Sequence, residues 1–378
     1  MATFVLVNGI GDAVISFRGS LVRDLVARGH RVVVSTPTPL ERSALDVERA
    51  IKDLGGECVF APLDRTGTNP VRELLTRRHY RALFERVKPD GVFAANPKPV
   101  FHAIPAAKHA GVSRRVAMIT GLGYAFTGSS FKARLLRIIA SRLYHNATRA
   151  ATTTIFQNPD DRAYFEQAQL ITRDSDVRMT GGSGVDLIEF SPVAAPTSAP
   201  VFLMIARLLG DKGVREFAHA ARVVRAQRAD CQFRLVGWID GNPAAIAQAE
   251  LDRWIAAGDI VYAGRLDDVR AELASCSVFV LPSYREGTPK STLEALATGR
   301  PVITTDAPGC RETVMSDDDE CNGILVPARD GDGLAHACLS LALDEERRVR
   351  MGHHSRALAE RRFDVRLVNA TIMDALGA

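Results

Sequence analysis

The chain has 378 residues, of which 46% are hydrophobic and 24% are charged, and its formal net charge is +4. This length favours two globular domains, and the hydrophobic fraction is sufficient to give each domain a core. The positive charge favours anionic ligands but is far below the basic density of a dedicated nucleic-acid binder, so no nucleic-acid partner is expected.

The six cysteines are scattered, with no Cys-x-x-Cys pair and no histidine at ligand spacing. This pattern predicts reduced thiols in the cytoplasm and no metal site. Residues 1–8 have no basic segment before their short apolar run, so they are not expected to be a signal peptide. No apolar run reaches the ~18 residues that a membrane span requires.

Apolar runs of strand length alternate with amphipathic stretches of helical length through the first half of the chain. An alternation with this period is typical of a parallel sheet. Strands are predicted at residues 3–7, 31–35, 57–60, 91–95 and 152–156 and from residue 116, and helices at residues 16–28, 41–54, 70–87 and 100–110.

The first loop carries Gly9 and Gly11, which resemble the start of a dinucleotide-binding fingerprint. Val14 occupies the third glycine position, however, and no acidic residue closes the second predicted strand. The loop therefore argues against hydride transfer.

Two later loops of the first half carry candidate ligand groups at the carboxyl ends of strands, where α/β sheets bind ligands. Lys98 and His102 follow the strand that ends at residue 95, and Gly121 and Gly123 belong to a glycine-rich loop after the strand that begins at residue 116. A surface lysine and a helix-capping histidine are the alternatives for Lys98 and His102.

Residues 131–143 have apolar positions at helical spacing, four basic side chains and no acidic one. Such a helix suits contact with an anionic membrane surface, and a core helix with a solvated basic edge is the alternative. Beyond it, a glycine-rich stretch at residues 181–184 and a Ser-Pro-Ala-rich run at residues 191–200 break the alternation and predict a domain boundary.

The second half begins with a predicted strand at residues 201–206 and a helix at 214–228, with Arg207 and Lys212 between them. Paired cations at this place suit a diphosphate leaving group, because negative charge accumulates on its β-phosphate as a glycosidic bond breaks. Surface charges in a loop are the alternative. Further strands are predicted at residues 233–237, 260–263 and 278–281.

A short helix follows the strand at residues 278–281, with Thr288 as its predicted cap, Pro289 in its first turn and Gly299 just past its end. The free amides of its first turn point towards a carboxyl edge, where anions bind. Glu286 lies before this helix and Glu294 lies inside it, so the two carboxylates bracket a phosphate site. A solvated Glu286 and a surface pair of Lys290 with Glu294 are the alternatives.

This segment resembles the retaining glycosyltransferases of family 4, whose signature is two glutamates separated by seven residues. The similarity covers residues 281–287, 294–299, 301–302 and 308–312. The region around Lys98 is similar to bacterial members that use polyprenyl-diphosphate acceptors. The resemblance implies an α/β, GT-B fold, in which two Rossmann-like domains have parallel sheets that face a central cleft.

In this family the first domain binds the acceptor and the second binds the nucleotide sugar. The resemblance therefore implies an acceptor-binding domain at residues 1–185, a linker at 186–200, a donor-binding domain at 201–363 and a C-terminal helix at 364–378 that crosses back to the first domain.

The resemblance also implies roles for single residues. Arg207 and Lys212 would hold the departing diphosphate, Glu286 would orient the donor sugar, and Glu294 would receive the ribose hydroxyls; Glu286, Arg207 and Lys212 form the catalytic set. Further donor contacts are expected from Gly11, Gly264, Gly287, Thr288, Pro289 and Leu293, and acceptor contacts from Lys98, His102, Gly121 and Gly123. No metal or cofactor is expected, because the cations and the helix N-terminus replace a metal.

The predicted function is transfer of a sugar from a nucleotide-diphosphate donor, with UDP favoured, to a hydroxyl of a polyprenyl-diphosphate-linked saccharide, with retention of configuration. The pathway would be bacterial surface polysaccharide biosynthesis, such as lipopolysaccharide or exopolysaccharide. The helix at residues 131–143 predicts a peripheral protein on the inner face of the cytoplasmic membrane. A sugar-nucleotide epimerase of the same architecture and a nucleotide-binding protein without turnover are the alternatives.

Overall fold

The computed structural model describes residues 1–64, 67, 69–122, 126, 131–196, 199–242, 244–317 and 319–378, and no side chain is described for residues 131–133. The chain divides into two compact units. Unit 1 comprises residues 1–183 and 365–378, and unit 2 comprises residues 184–364.

Unit 1 contains a seven-stranded sheet in the order β3-β2-β1-β4-β5-β6-β7, and all of its strand pairs are parallel. Its strands are β1 Thr3–Asn8, β2 Arg31–Pro37, β3 Glu57–Ala61, β4 Gly91–Ala95, β5 Arg114–Ile119, β6 Thr153–Phe156 and β7 Asp176–Met179. Its helices before residue 183 include α1 Val14–Ala27, α2 Ala44–Asp53, α3 Pro70–Val87, α4 Pro97–His109, α5 Phe131–Ala150 and α6 Pro159–Gln167.

The side chains of β1 alternate between two apolar clusters, one on each face of the unit 1 sheet. Val5 and Val7 pack in the cluster that includes buried residues of α3, α4 and α5, whereas Phe4 and Leu6 pack in the cluster that includes α1. This period-2 alternation is the pattern of a strand that is buried on both faces. Because all strands are parallel, their carboxyl ends share one edge, and the loops and N-terminal helical turns at that edge carry the candidate residues of unit 1.

Helix α4 begins at residue 97 in the structure, earlier than the start at residue 100 that the sequence pattern predicted. Pro97 is its first residue, because the fixed φ of proline suits the first helical turn and its missing N–H costs no hydrogen bond there. Lys98 therefore lies on the helix and not in the loop before it, which corrects the prediction, whereas His102 lies on the helix as the predicted range of residues 100–110 indicates. The start of α3 agrees with the prediction, because the Asn69 side chain accepts a hydrogen bond from the backbone N–H of Val71 at 2.9 Å.

Unit 2 contains a six-stranded sheet in the order β10-β9-β8-β11-β12-β13, and its strand pairs are also parallel. Its strands are β8 Val201–Ile205, β9 Gln232–Val236, β10 Val261–Gly264, β11 Val278–Leu281, β12 Val302–Thr305 and β13 Gly323–Val326. Its helices include α7 Val214–Gln227, α8 Gln248–Ala256, α9 Arg270–Ser275, α10 Lys290–Ala297, α11 Gly331–Leu343 and α12 Glu345–Leu358.

The strand order of unit 2 reverses between β8 and β11, which are neighbours in the sheet but far apart in sequence. The loops that leave these two strands run in opposite directions, and they open a crevice at the carboxyl edge. The loop after β8 contains Arg207 and Lys212, and the loop after β11 contains Glu286. The fold thus brings the predicted catalytic residues to one edge of one sheet.

The ends of α10 agree only in part with the prediction. Pro289 is the N-cap residue itself, so Thr288 lies one position further out, where its hydroxyl donates to the carbonyl of Gly287 at 2.9 Å. The prediction that Thr288 caps the helix is therefore wrong. Gly299 follows the last turn with a φ of +80°, as a left-handed residue past a helix end should.

The C-terminal helix α13, Val365–Leu376, belongs to unit 1, where it adds Val368, Ile372 and Met373 to the cluster of Phe4. Residues 186–200, predicted as a linker, lie in unit 2. Arg356 Nη1 on α12 donates to the carbonyl of Phe190 at 3.0 Å, which fixes this segment.

No helix in the described part of the chain is both long enough and apolar enough to cross a membrane.

Candidate functional site

The centre of the unit 2 edge is a contact between two residues of the predicted catalytic set. Lys212 Nζ lies 2.5 Å from Glu286 Oε1, and the Ser283 hydroxyl donates to the same oxygen at 2.8 Å. The side chains of Lys212 and Glu286 are only 16% and 15% exposed. This ion pair, which is largely shielded from solvent, and the hydrogen bond from Ser283 hold the Glu286 carboxylate in one orientation.

The backbone on each side of Glu286 is also fixed. The N–H of Glu286 donates to the carbonyl of Pro308 at 2.9 Å, and the N–H of Tyr284 donates to the carbonyl of Asp211 at 2.9 Å. Gly309 approaches so closely that a Cβ on it would lie 2.2 Å from the carbonyl oxygen of Glu286. Only glycine fits there, and its φ of +80° also favours glycine.

The phenol of Tyr284 points away from this carboxylate and towards α7. Its hydroxyl donates to Glu216 Oε1 at 2.6 Å, and Arg329 stacks on its ring at 4.8 Å. Burial, with a further contribution from Glu216, raises the pKa of Tyr284 to about 12. The phenol is therefore neutral at physiological pH and anchors the loop.

Glu294 is buried on α10, with only 9% of the residue exposed. Burial raises the pKa of its carboxyl group to about 6, while Lys290, at 3.6 Å, opposes the shift. The pair of Lys290 with Glu294 is thus present, as the alternative reading expected, but it is not a solvated surface pair. A buried carboxylate with an elevated pKa is characteristic of a functional site.

The N-terminus of α10 lies beside the end of β8. The Ser291 hydroxyl donates to the carbonyl of Ile205 at 3.0 Å, and this bond joins the helix to the strand. Two other predicted donor residues lie close to this N-terminus: Gly287 in the loop before the helix and Pro289 at its N-cap. A third, Leu293, has its side chain fully buried in the core of unit 2.

Arg207 does not contact either glutamate of the predicted pair. Its Nη1 lies 2.9 Å from Asp240 Oδ2, in the loop after the neighbouring strand β9. The side chains of Arg207 and Asp240 are 28% and 19% exposed, so the guanidinium is accessible from solvent at this edge. The carboxylate orients a cation that an anionic ligand can share.

Gly264 closes strand β10 with a φ of +72°, and nothing lies within 4 Å of the position of a Cβ. Near it, the Arg265 guanidinium stacks on Trp238 at 4.6 Å, and the Tyr262 hydroxyl donates to the carbonyl of Gly237 at 2.9 Å. The edge beside Gly264 is therefore open and has an aromatic and a cationic group near it.

In unit 1, Gly11 lies in the loop between β1 and α1. A Cβ on this residue would lie 2.4 Å from the carbonyl oxygen of Pro37, so the tight turn requires glycine. The neighbouring Asp12 accepts hydrogen bonds from the backbone N–H groups of Leu40 and Arg42 at 3.0 and 2.8 Å. These contacts account for the shape of the turn without a ligand.

Lys98 and His102 form one cluster with Glu73 of α3. Lys98 Nζ contacts Glu73 Oε1, and His102 Nε2 lies 2.5 Å from Glu73 Oε2. His102 is buried, and this burial, together with the nearby charges of Lys98 and Arg77, lowers the imidazole pKa below its usual value although Glu73 opposes the shift. Neither alternative, a surface lysine or a helix-capping histidine, describes this cluster.

Of the two predicted glycines after β5, Gly121 has a φ of +112°, a conformation that favours glycine. Gly123 lies outside the described residues.

Sequence reasoning missed three residues that orient the predicted ones. Ser283, Asp240 and Glu73 hold Glu286, Arg207 and the pair of Lys98 with His102, respectively. Asp240 had a detectable signal, because it is an acidic residue just after a strand end. Glu73 had none, because its role depends on the packing of α3 against α4.

In the part of the chain that the structure describes, no group of three or more His, Cys, Asp and Glu side chains has the arrangement of a metal site.

Comparison with known proteins assigns the family. The family described as Glycosyl transferases group 1 matches residues 199–344, and the family described as Glycosyl transferase 4-like matches residues 12–158. Both halves of the chain match glycosyltransferase families, and the chain is a glycosyltransferase. The predicted family and enzyme class are thereby confirmed.

Curated relatives of this glycosyltransferase come from bacterial glycan pathways. One is the N,N'-diacetylbacillosaminyl-diphospho-undecaprenol alpha-1,3-N-acetylgalactosaminyltransferase of Campylobacter jejuni, which is 27% identical over 91% of this chain and 90% of its own length. Another is the putative colanic acid biosynthesis glycosyltransferase WcaL of Escherichia coli, which is 30% identical over 52% of this chain and 50% of its own length.

Solved structures confirm the fold of the glycosyltransferase. Sucrose-phosphate synthase from Thermosynechococcus elongatus superposes with a TM-score of 0.79 at 18% identity, over 99% of this chain and 98% of its own. Anabaena HepE, in complex with UDP and glucose, superposes with a TM-score of 0.78 at 16% identity over the whole of both chains. The predicted α/β, GT-B fold with two parallel sheets is confirmed.

Proposed function

We propose that this glycosyltransferase moves a sugar, with retention of configuration, from a nucleotide-diphosphate donor to a hydroxyl of a polyprenyl-diphosphate-linked saccharide. The observation that carries the proposal is the contact of Lys212 with Glu286 beside the N-terminus of α10. A cation, an oriented carboxylate and the N-terminus of a helix at one carboxyl edge are the groups that a sugar diphosphate requires.

In the proposed reaction, the bond between the anomeric carbon and the β-phosphate oxygen breaks, and the acceptor oxygen forms a new bond to that carbon on the same face. The acceptor proton passes to the departing diphosphate. Lys212, Arg207 and the amides of the first turn of α10 stabilise the charge that develops on the leaving group. Glu286, held by Lys212 and Ser283, orients the donor sugar.

The nucleoside is held further along the same edge in this proposal. The ionised Glu294 carboxylate accepts hydrogen bonds from the ribose hydroxyls, and Gly264, Gly287, Thr288 and Pro289 contribute further donor contacts. Leu293 is fully buried in the core of unit 2, so its predicted donor contact is not part of the proposal. In unit 1, the backbone of Gly11 is the proposed donor contact. UDP is the favoured nucleotide, and the fold neighbour HepE was solved with UDP. The cations and the helix N-terminus make a metal unnecessary.

The acceptor is a saccharide on a polyprenyl diphosphate, and the reaction belongs to surface polysaccharide biosynthesis. The name of the Campylobacter jejuni relative describes such an acceptor. In this proposal the acceptor contacts come from Lys98, His102, Gly121 and Gly123. Lys98 and the N-terminus of α4 supply positive charge for the acceptor diphosphate. The basic helix at residues 131–143 places the enzyme on the inner face of the cytoplasmic membrane.

Calorimetric titration of UDP, GDP and ADP in EDTA tests the donor part of the proposal. We expect one nucleotide, UDP, to bind without metal, and its affinity to fall at least tenfold in Glu294→Ala. Glu346→Ala removes a carboxylate that is 92% exposed on α12 and serves as the matched control. Absence of binding by all three nucleotides in folded protein contradicts the donor site.

A transfer assay tests the reaction. Donor consumption is measured with and without a polyprenyl-diphosphate-linked saccharide, and the anomeric configuration of the product is read by NMR. Transfer with retention supports the proposal. Conversion of the donor without an acceptor indicates an epimerase, binding without any turnover indicates a nucleotide-binding protein, and an inverted product contradicts the retaining mechanism.

A further inference from the structure

The three helices α3, α4 and α5 form one layer of unit 1, in which α4 packs against both of the others. Each of them ends just before the next parallel strand begins, so their N-terminal turns all lie at the carboxyl edge of the sheet. The N-terminal turns of α3 and α5 therefore flank the turn of α4 that carries Lys98 and His102.

Both flanking helices expose aliphatic side chains with the same spacing near their N-terminal ends, within the first nine residues of each helix. On each helix the exposed positions are i, i+3 and i+4, which form one face. They are Val71 (64% exposed), Leu74 (49%) and Leu75 (50%) on α3, and Leu135 (51%), Ile138 (55%) and Ile139 (48%) on α5. A soluble surface seldom clusters large aliphatic side chains in this way.

The charged residues beside these aliphatic side chains are basic. On α3, Arg77 and Arg78 are exposed one turn further along the helix, and on α5, Arg134 and Arg142 are exposed beside the aliphatic face. Residues 131–150 contain no acidic residue. The acidic residue in the first turn of α3, Glu73, is directed towards Lys98 and His102 on α4.

We infer that the exposed aliphatic residues near the N-terminal ends of α3 and α5 together form a two-helix face that inserts into an anionic bilayer surface on both sides of the Lys98–Glu73–His102 cluster. This inference rests on the proposed function, which assigns membrane contact to the basic helix of residues 131–143 alone. The aliphatic side chains enter the acyl boundary, and the arginines stay at the level of the anionic headgroups.

The charge of the surface favours a bilayer over a second copy of the chain. A face that carries arginines on both helices repels an identical face, whereas it attracts anionic lipid with a gain of about fivefold in affinity for each arginine near the surface. The position also suits the acceptor, because the diphosphate of a polyprenyl lipid lies at the headgroup level, next to α4.

Vesicle co-sedimentation of the full chain tests the inference. The vesicles are phosphatidylcholine alone and phosphatidylcholine mixed with phosphatidylglycerol in equal parts. The variants are a triple serine replacement on α3 (Val71→Ser, Leu74→Ser and Leu75→Ser), the corresponding one on α5 (Leu135→Ser, Ile138→Ser and Ile139→Ser), and a control at exposed aliphatic residues of unit 2 (Ile188→Ser, Val261→Ser and Leu343→Ser). Thermal melting checks that each variant is folded.

We expect the wild type and the control to bind the anionic vesicles, and each of the two helix variants to lose about tenfold or more in partitioning. An α3 variant that binds like the wild type, beside an α5 variant that does not, overturns the role of α3. If the wild type does not bind the anionic vesicles, membrane contact by both helices is overturned. The donor and transfer parts of the proposed function are then still tested by UDP binding and by the transfer assay, which are measured separately. Sedimentation velocity tests whether a second copy of the chain occupies this face. If a helix variant changes from dimer to monomer and this change accounts for its loss of vesicle binding, the inference is overturned.

Discussion

Lys212 and Glu286 are separated by 74 positions in the chain, yet Lys212 Nζ lies 2.5 Å from Glu286 Oε1. Each residue comes from the loop after a different strand, and the reversal of strand order between β8 and β11 brings the loops together. The pair therefore acts as a unit. Removal of either partner leaves the other charge poorly compensated at a half-buried edge.

The first prediction concerns this pair. Lys212→Ala and Glu286→Gln are each expected to lower kcat by about 10²–10³-fold, because one loses charge stabilisation of the leaving group and the other loses orientation of the sugar. The double variant is expected to be little worse than the worse single variant, since the residues share one contact. Independent effects that multiply in the double variant would contradict a common unit.

The second prediction concerns Glu294 and pH. The folded protein holds the pKa of this carboxyl group at about 6, above its usual value of 4.5, so its protonation favours the folded state. That contribution is complete below pH 4.5 and is lost as the pH rises through about 6. Glu294→Gln is therefore expected to raise the free energy of unfolding by up to about 2 kcal/mol at pH 8 and to leave it unchanged near pH 4.

The same variant separates stability from function. Glu294→Gln is expected to weaken nucleotide binding while it stabilises the fold, because the amide cannot replace an ionised acceptor for two ribose hydroxyls. Urea unfolding at the two pH values and calorimetry at pH 8 measure both effects. A variant that loses stability at pH 8 would show that the pair of Lys290 with Glu294 stabilises the fold by more than the cost of burying the charge.

The third prediction concerns the glycine behind Glu286. In Gly309→Ala the new Cβ would lie 2.2 Å from the carbonyl oxygen of Glu286, so the loop must move. We expect a loss of more than about 3 kcal/mol of stability or, if the loop yields, a loss of transfer activity. Gly258→Ala is the control, because its φ is +72° but its nearest neighbour is Arg225 Nη1 at 3.9 Å, and about 1 kcal/mol of backbone strain is expected. A similar loss of stability in Gly309→Ala and Gly258→Ala would contradict the importance of the close approach of Gly309 to the Glu286 carbonyl.

The fourth prediction concerns Glu73 as the residue that positions Lys98 and His102. In Glu73→Gln, the pKa of His102 is expected to fall further, because the carboxylate that partly offsets its burial is gone. Nitrogen-detected NMR of the histidine ring measures this shift. We expect KM for the acceptor to rise while UDP affinity is unchanged, and Glu85→Gln on the same helix is the control, since Glu85 pairs with Arg81 at 2.8 Å on the exposed surface. An unchanged KM would remove Glu73 and its partners from the acceptor site.

The sequence was sufficient for features that depend on near neighbours in the chain. The bounds of α3 were predictable, because Asn69 caps it and Pro70 opens it. The end of α10 was predictable from Gly299, and the assignment of Arg207, Lys212 and Glu286 to one catalytic set followed from the family resemblance.

Features that depend on tertiary packing were not predictable. The partner of Arg207 comes from the loop after β9, and the partner of His102 comes from α3. The place of Asp240 after a strand marks it as a candidate, but neither pairing can be read from residues that are near neighbours in the chain. The burial of Leu293 and Glu294 likewise depends on which face of α10 packs on the sheet, and an eight-residue helix is too short for its pattern to settle this.

The position of α13 has a consequence for synthesis. Val368, Ile372 and Met373 complete the apolar cluster around Phe4, but the ribosome makes them only after all of unit 2. The part of this sheet face that α13 covers thus stays open, although α1 packs on the same face, while the next 181 residues, 184–364, emerge. The unit that is translated first is therefore completed after the unit that is translated second, and the nascent chain exposes apolar surface of unit 1 during that interval.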